Sequence, residues 1–302
     1  MNRQPSRPLA EFLLVTVTVF WGGTFPLVKE AIVDLPVMAF LWVRFLLAAT
    51  LLLLFAGRSI LTLGWRGVGR GILLGTLLFL SYLFQTWGLE LTSSTNTGFL
   101  TGLNVVWVPL LAGPLLHKSP AFGAKIGVGL ALSGLFLLTW QPGSFSVNPG
   151  DVLVLVCSFF VALHILGLDA LTEGFDGRAL TFVQIATMAV WSLLGSLAFD
   201  PVPWPRSWPI DLVVAVVITA VFATVYAFWV MTSFQRLTTP TRAALIYTLE
   251  PVFAAIFSIL LLAEQLSSLA WVGGSMIVLG MVIAELFPAP PAKVEFEPGA
   301  TT

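Results

Sequence analysis

Glu250 is the ionisable residue of this sequence whose surroundings most clearly predict chemistry. It lies in the apolar stretch 239–264, which is long enough to cross a bilayer, and Pro251 follows it directly. A carboxylate at that depth costs roughly 3 kcal/mol to insert. Because Pro251 has no N–H, we expect a kink here that leaves the Tyr247 carbonyl free. An acid beside a broken helical turn is typical of a transporter site, and a hydrogen-bonded packing glutamate is the alternative.

Other polar and aromatic side chains also occur within apolar stretches, where they need a partner or a cavity. We expect a small-molecule site lined by Trp21, Thr24, Tyr82, Gln85, Thr101, Asn104, Trp107, His164, Tyr226, Trp229, Tyr247 and Glu250. The aromatic members of the eighth and ninth predicted spans are expected to form a wall that stacks on planar or cationic substrates, with ordinary packing as the alternative. His164 is interpreted either as a proton relay with Glu250 or as a neutral hydrogen-bonded residue.

Arg44 lies in the middle of the second predicted span, 36–56. A cation there must be paired or lie near an aqueous path. We expect a structural pair with a helix-end carbonyl or an acid, so Arg44 is not among the predicted site residues.

The composition places these residues in a membrane protein. Of 302 residues, 58% are hydrophobic and only 10% are charged, and the mean hydropathy is +0.97; soluble domains have about 25% charged residues. The net charge of −1 argues against a nucleic-acid partner. The single cysteine, Cys157, allows no disulfide framework. We expect no metal and no cofactor.

Ten apolar segments are long enough to span a bilayer. They are predicted at 9–32, 36–56, 68–89, 94–116, 121–139, 150–170, 178–199, 211–235, 240–262 and 267–287. Of the 14 Lys and Arg residues, eleven fall on the side of the two termini, two on the other side and one within a span. This bias predicts that both termini are cytoplasmic. The tail 288–302, rich in Pro and Glu, is expected to be disordered.

The sequence repeats itself. Shifting residues 91–135 by 146 positions places them on 237–281 without a gap, and Thr and Gly residues match as well as Leu. The two predicted domains, 9–140 and 149–287, have five spans each, so the second must enter the membrane inverted. An inverted repeat predicts a site at the midplane between the halves. In this register Asn104 matches Glu250, so each half has a polar residue near mid-depth.

Glycines recur seven positions apart on the fifth and tenth predicted spans, at Gly127 and Gly134 and at Gly273 and Gly280. This spacing indicates close helix approach. The glycine faces are expected either to pack inside the bundle or to hold a homodimer.

Several motifs together resemble the EamA-type branch of the drug/metabolite transporter superfamily. They are Phe20-Trp21-Gly22-Gly23-Thr24-Phe25-Pro26, Arg44-Phe45, Thr101-Gly102-Leu103-Asn104-Val105-Val106-Trp107-Val108-Pro109, and Leu249-Glu250-Pro251-Val252-Phe253 with Glu264. Within this branch the chain looks like the YddG-type amino-acid and metabolite exporters. The resemblance implies ten helices around a central cavity. His117-Lys118 stands where the family often has Gly-Glu, so Glu264 is not included in the predicted site.

These observations predict a carrier for small organic metabolites, amino acids in particular, in the bacterial inner membrane, acting as an exporter. A facilitator or a proton-coupled carrier for other metabolites or for aromatic and cationic drugs is the alternative. An intramembrane enzyme is disfavoured, because the sequence has neither a Gly-x-Ser-x-Gly nor a His-Glu-x-x-His motif. A channel is disfavoured because no ring of like charge or filter-like repeat is evident.

Overall fold

A computed structural model describes most of the chain. The described residues are 7–116, 122–139, 148–172, 174–200, 204–205, 207–234, 246–247 and 249–287, without a few side chains inside these ranges. The predicted tail 288–302 and the predicted loop around 141–143 lie outside them. Within the described part of the chain, the secondary structure is entirely helical.

Twelve α-helices are described. The first half contains α1 (Arg7–Asp34), α2 (Val37–Ala56), α3 (Gly64–Leu91), α4 (Ser94–Gly102), α5 (Asn104–Leu116) and α6 (Phe122–Thr139). The second half contains α7 (Pro149–Leu171), α8 (Gly177–Phe199), α9 (Ile210–Ala220), α10 (Ala227–Phe234), α11 (Glu250–Leu262) and α12 (Ser268–Leu286). A 3₁₀ helix, Gly57–Thr62, joins α2 to α3, and a π-helix, Val221–Tyr226, joins α9 to α10.

Six helical segments among the described residues are long and apolar enough to cross a membrane. They are Arg7–Asp34, Val37–Thr62, Gly64–Leu91, Pro149–Leu168, Gly177–Phe199 and Ile210–Met231. Shorter apolar helical stretches lie at Lys125–Gly134, Glu250–Leu262 and Ser268–Ile283. The chain is therefore a multi-pass helical protein, and the total of ten spans stays a prediction.

The fourth predicted span, 94–116, is not one continuous helix. It is divided at Leu103, whose N–H donates to the Leu100 carbonyl at 3.2 Å, one residue short of the α-helical pattern. The Asn104 side chain favours the break, because its Nδ2 donates to the Thr101 carbonyl at 2.9 Å and competes with the backbone for that acceptor.

The ninth predicted span also differs from the expectation. Pro251 does not kink a continuous helix; it lies in the first turn of α11, which begins at Glu250. Proline is tolerated there because a first-turn N–H has no intrahelical acceptor. Leu249 precedes the helix in a turn, with its N–H donating to the Ile246 carbonyl at 3.0 Å. The start of this span lies outside the described residues.

The two breaks occupy matching positions. The 146-residue shift places Leu103 on Leu249 and Asn104 on Glu250, and in both repeats a helix begins at the second residue of the pair. Each repeat therefore directs the N-terminus of a short helix into the bundle. Such half-helix ends carry partial positive charge and are common at transporter sites.

The glycine faces of α6 and α12 pack against each other within the chain. A Cβ on Gly134 would lie 2.5 Å from the Gly273 carbonyl oxygen, and one on Gly280 would lie 2.7 Å from the Gly127 carbonyl oxygen. Because the later residue of one helix meets the earlier residue of the other, the two helices are antiparallel. Of the two alternatives for these glycines, the structure shows packing inside the bundle.

Candidate functional site

The polar side chains of α3, α4 and α5 form a connected group. Gln85 Nε2 donates to the Thr101 hydroxyl at 3.1 Å. Asn104 Nδ2 donates to the carbonyl of the same threonine, and the Thr101 side chain lies near the thiol of Cys157 on α7. These four residues come from both repeats, since α7 belongs to the second.

Glu250 lies beside this group. A Cβ on Gly102, the neighbour of Thr101, would lie 3.4 Å from the Pro251 side chain, so the start of α11 packs against α4 at this point. Among the described residues, no hydrogen bond to the Glu250 side chain is found, and the residue is only partly buried. The carboxylate is thus held at the N-terminus of α11 without a described polar partner.

The start of α11 is fixed by close packing. A Cβ on Gly22 of α1 would lie 2.8 Å from the Glu250 carbonyl oxygen and 2.6 Å from Phe253 Cβ. On α4, the space that a Cβ on Gly98 would need is filled by the Ala254 side chain. Only glycine at these two positions allows α1 and α4 to approach the Glu250 backbone so closely. The glycine does not interrupt α1, which is continuous from Arg7 to Asp34.

Arg44 joins the group from α2. It is 4% exposed, and its guanidinium carbon lies 5.0 Å from the centre of the Tyr82 ring and 5.2 Å from that of Phe45. Its Nε and Nη2 donate to the Thr224 hydroxyl at 3.3 and 3.2 Å. Among the described residues, the neighbours of the cation are a neutral hydroxyl and two aromatic rings, not the expected carbonyl or acid.

The π-helix explains these contacts. Its wider turn lets Thr224 donate its hydroxyl proton to the Thr219 carbonyl five residues earlier, at 2.9 Å. The Ala223 carbonyl is available to another helix, and Trp21 Nε1 donates to it at 3.0 Å. Trp21 and Arg44 thus both meet the π-helix, from α1 and α2.

We call Arg44, Tyr82, Gln85, Thr101, Asn104, Cys157, Thr224 and Glu250 the central cluster. Five of them were predicted as site residues, and Arg44, Cys157 and Thr224 were not. Arg44 lies in one of the motifs that carry the family resemblance, which was the signal available for it. The apolar run that contains Thr224 has no glycine or proline to mark the π-helix.

The other predicted residues on α1 and α5 are Trp21, Thr24 and Trp107. Their contacts are with residues outside the central cluster. Thr24 donates to the Trp21 carbonyl in its own helix at 2.8 Å. The Trp21 ring lies 6.0 Å from that of Tyr247. Trp107 Nε1 donates to the Ser158 hydroxyl at 3.0 Å, one residue beyond Cys157.

The three residues of the predicted aromatic wall, Tyr226, Trp229 and Tyr247, have different surroundings. Tyr226 shares a 2.6 Å hydrogen bond with the Thr16 hydroxyl and packs edge-on against Phe20. Trp229 is 44% exposed, and its ring lies 6.5 Å from that of Tyr226. Tyr247 packs against Trp21.

His164 forms a hydrogen bond with a residue outside the central cluster. It is 3% exposed, and its Nε2 lies 2.8 Å from Gln184 Oε1 on α8. With this amide oxygen as acceptor, Nε2 is the donor. The geometry matches the interpretation of His164 as a hydrogen-bonded residue.

A second polar group lies where α3 ends and α4, α7 and α12 begin. Its members are Lys29, Thr92, Ser94, Thr95, Asn96, Asp151 and Glu264, which we call the end cluster. Lys29 Nζ donates to the Leu89 and Thr92 carbonyls at 2.6 and 2.7 Å, and the Thr92 hydroxyl donates to Asp151 at 2.6 Å. Glu264 accepts hydrogen bonds from the Ser94 and Thr95 N–H groups at 2.9 and 3.3 Å.

The end cluster joins the repeats. Asp151 and Glu264 belong to the second, and their partners belong to the first. Glu264 was left out of the predicted site, although it lies in a motif of the family resemblance. Within the described residues, no group of three or more His, Cys, Asp or Glu side chains has the arrangement of a metal site.

Comparison with known proteins agrees with this architecture. The EamA-like transporter family matches residues 8–140 and again 148–285. An uncharacterized transporter of Archaeoglobus fulgidus is 33% identical over 282 residues, which cover 93% of this chain and 87% of the relative. The uncharacterized inner membrane transporter YedA of Escherichia coli K12 is 25% identical, covering 92% of each chain.

A solved crystal structure shares the fold. Its TM-score against this chain is 0.68 at 19% sequence identity, and the match covers 93% of this chain and 98% of the other. Both repeats are included in an alignment of that extent.

Proposed function

Because the chain belongs to the EamA-like transporter family, we propose that it carries small organic metabolites, amino acids in particular, across the bacterial inner membrane. The central cluster is the observation that carries this proposal. It places polar and charged side chains from both repeats together inside an apolar helical bundle. Side chains of this kind within a membrane bundle mark substrate pathways.

The proposed mechanism is alternating access. Two inverted halves of five spans each rock about the central cluster and expose it to one side of the membrane at a time. Two observations support inverted halves: the antiparallel packing of α6 on α12, and the helix starts at Asn104 and Glu250. Both termini lie in the cytoplasm in this proposal, and net transport is export.

Glu250 of the central cluster and the end cluster each have a role in this mechanism. Glu250 orients the substrate or carries a coupling proton, because its carboxylate has no hydrogen-bond partner among the described side chains. The end cluster holds the repeats together at one mouth of the pathway, so its hydrogen bonds must break when that mouth opens.

The test is flux in proteoliposomes with a panel of amino acids, with and without an imposed pH gradient. Saturable uptake supports a carrier. Ion current that does not saturate indicates a channel, and chemical conversion of the added compound indicates an enzyme. If no amino acid in the panel gives saturable flux, the assignment of amino acids fails.

A further inference from the structure

Arg44 is a buried cation whose charge is not matched by the side chains around it. It lies in α2, one of the helices long and apolar enough to cross a membrane, and it is 4% exposed. Such residues normally pair with an acid or face an aqueous path. Among the described residues, the ion pairs are Arg7–Glu11 and Arg178–Asp176, and neither involves Arg44.

The contacts of Arg44 orient the guanidinium without neutralising it. Thr224 accepts from Nε and Nη2, while its own proton goes to the Thr219 carbonyl. The aromatic rings of Tyr82 and Phe45 both lie against the cation. With Nε and one N–H of Nη2 engaged by Thr224, the Nη1 side of the guanidinium is left, and its parallel Nη1 and Nη2 donors match the two oxygens of a carboxylate.

Glu250 is the acidic residue of the central cluster. Among the described residues it forms no ion pair with Arg44 within 4.0 Å. The cluster therefore contains a basic and an acidic residue that do not pair with each other. Such residues can each bind a group of opposite charge on one ligand.

We infer that Arg44, oriented by Thr224 and Tyr82, is the subsite that binds the carboxylate of the transported compound. This inference rests on the proposed function and assigns one residue within it. The ammonium group of the same compound lies toward Glu250. Phe45 and Tyr82 provide aromatic surface beside the subsite, so a ligand with an aromatic side chain is the best probe.

Three matched compounds test the carboxylate and the ammonium group of the ligand separately. Phenylacetate has only the carboxylate, phenethylamine only the ammonium, and phenylalanine both; benzylphosphonate replaces the carboxylate by a phosphonate. The measurement is the apparent unfolding temperature of the purified full chain as each compound is titrated. It reports binding without requiring flux.

In the Arg44→Gln variant, the apparent Kd for phenylacetate and phenylalanine is expected to rise about 10- to 100-fold, the loss of a charge-assisted pair. The Kd for phenethylamine is expected to stay unchanged. Arg70→Gln is the matched control, because Arg70 also donates to a neutral oxygen, the Leu171 carbonyl, and, like Arg44, lies against an aromatic ring, that of Phe175. It should bind all four compounds as the wild type does.

Two further variants keep the inference testable if Arg44→Gln does not fold. Arg44→Lys keeps the charge without the fork and should weaken phenylacetate binding less than Arg44→Gln. Thr224→Val removes the orienting hydroxyl and should weaken phenylacetate but not phenethylamine.

The inference is overturned if phenylacetate does not stabilise the wild type, if Arg44→Gln binds it normally, or if benzylphosphonate binds strongly and phenylacetate does not. These outcomes differ from failure of the proposed function, which is the absence of saturable flux for every amino acid in the panel.

Discussion

The hydroxyl of Thr95 donates a 2.6 Å hydrogen bond to the carboxylate of Glu264, 169 residues later in the chain. Two backbone N–H groups at the start of α4 donate to the same carboxylate. A residue of the second repeat thereby caps a helix of the first. An acid at a helix N-terminus also interacts favourably with the helix dipole. This contact belongs to the end cluster, at one mouth of the proposed pathway.

Glu264→Gln should loosen that mouth. The amide loses the charge, and charge-assisted hydrogen bonds contribute about 1.5–3 kcal/mol. We expect a Cys placed at Ser94 to react with a membrane-impermeant maleimide about tenfold faster in the Glu264→Gln variant than in the protein that keeps Glu264. Ser94 suits this test because its hydroxyl is buried without a partner in the described part of the chain. The labelling uses a Cys157→Ser background, since Cys157 is the sole cysteine.

Glu30→Gln is the control for this labelling experiment, because Glu30 is exposed on α1, one residue from Lys29. It should leave the reaction rate unchanged. An unchanged rate in Glu264→Gln itself would mean that the cap does not hold the mouth closed.

Glu250→Gln should remove the response of flux to an imposed pH gradient while the protein stays folded. Glutamine has nearly the same shape but cannot exchange a proton. The measurement is initial uptake in proteoliposomes at several pH values, and Glu90→Gln, an exposed acid on α3, is the control. If flux and its pH response are the same as in the wild type, Glu250 has no part in the mechanism.

His164→Asn should affect stability rather than pH response. Its bond to Gln184 is buried, and losing it leaves the Gln184 amide oxygen unpaired, at a cost of about 1–3 kcal/mol. We expect a lower apparent unfolding temperature and an unaltered dependence of flux on pH. A loss of pH response equal to that of Glu250→Gln would instead support the proton relay.

Gly134→Ala and Gly129→Ala, two changes in the same helix, should have opposite effects. A Cβ at Gly134 would lie 2.5 Å from the Gly273 carbonyl oxygen, so the helices must separate, at a cost of about 1–3 kcal/mol. Gly129 has no atom within 4 Å of the added Cβ, and alanine there should stabilise the helix by about 0.5–1 kcal/mol. Apparent unfolding temperatures in detergent measure both. Equal effects would contradict the α6–α12 contact.

Asp176→Ala should destabilise the protein at neutral pH and lose that effect in acid. Partial burial acts to raise the pKa of Asp176, but hydrogen bonds from the Arg178 side chain and from the Ala179 and Arg178 N–H groups outweigh it, so the pKa lies below its usual 3.8. Because the folded pKa is the lower one, the stabilisation is present above pH 3.8 and is lost as the pH falls through the folded value.

The Asp176 substitution removes the cap of α8, which is worth about 1 kcal/mol. Unfolding temperatures at pH 7 and pH 3 measure the difference between variant and wild type. Asp176→Asn keeps a capping side chain that does not titrate, so it should be nearly as stable as the wild type at pH 7. A deficit of Asp176→Ala that is equal at both pH values would contradict the argument.

The helices and most of the central cluster could be predicted from the sequence. Apolar length locates the helices, and a polar residue inside an apolar run needs a partner, so Gln85, Thr101 and Asn104 were recognised. The 146-residue register also paired Asn104 with Glu250, and the structure begins a helix at each.

What the sequence did not predict depends on contacts between distant helices. The π-helix has no glycine or proline to mark it, and its hydrogen bonds to Trp21 and Arg44 come from α1 and α2. The break at Leu103 depends on a side-chain amide competing for one carbonyl. The exposure of Trp229 could not be read from its type, because tryptophan is common both in binding sites and at membrane interfaces.

Along α6 and α12 the two repeats meet through the same pair of positions. Gly127 and Gly134 correspond in the repeat to Gly273 and Gly280, and each later residue lies against the earlier residue of the other copy. A larger side chain at Gly134 or Gly280 would therefore press on the backbone of the other copy, at Gly273 or Gly127 respectively. The copies differ at Asn104 and Glu250, but along this contact each copy needs a glycine for the other to pack against it.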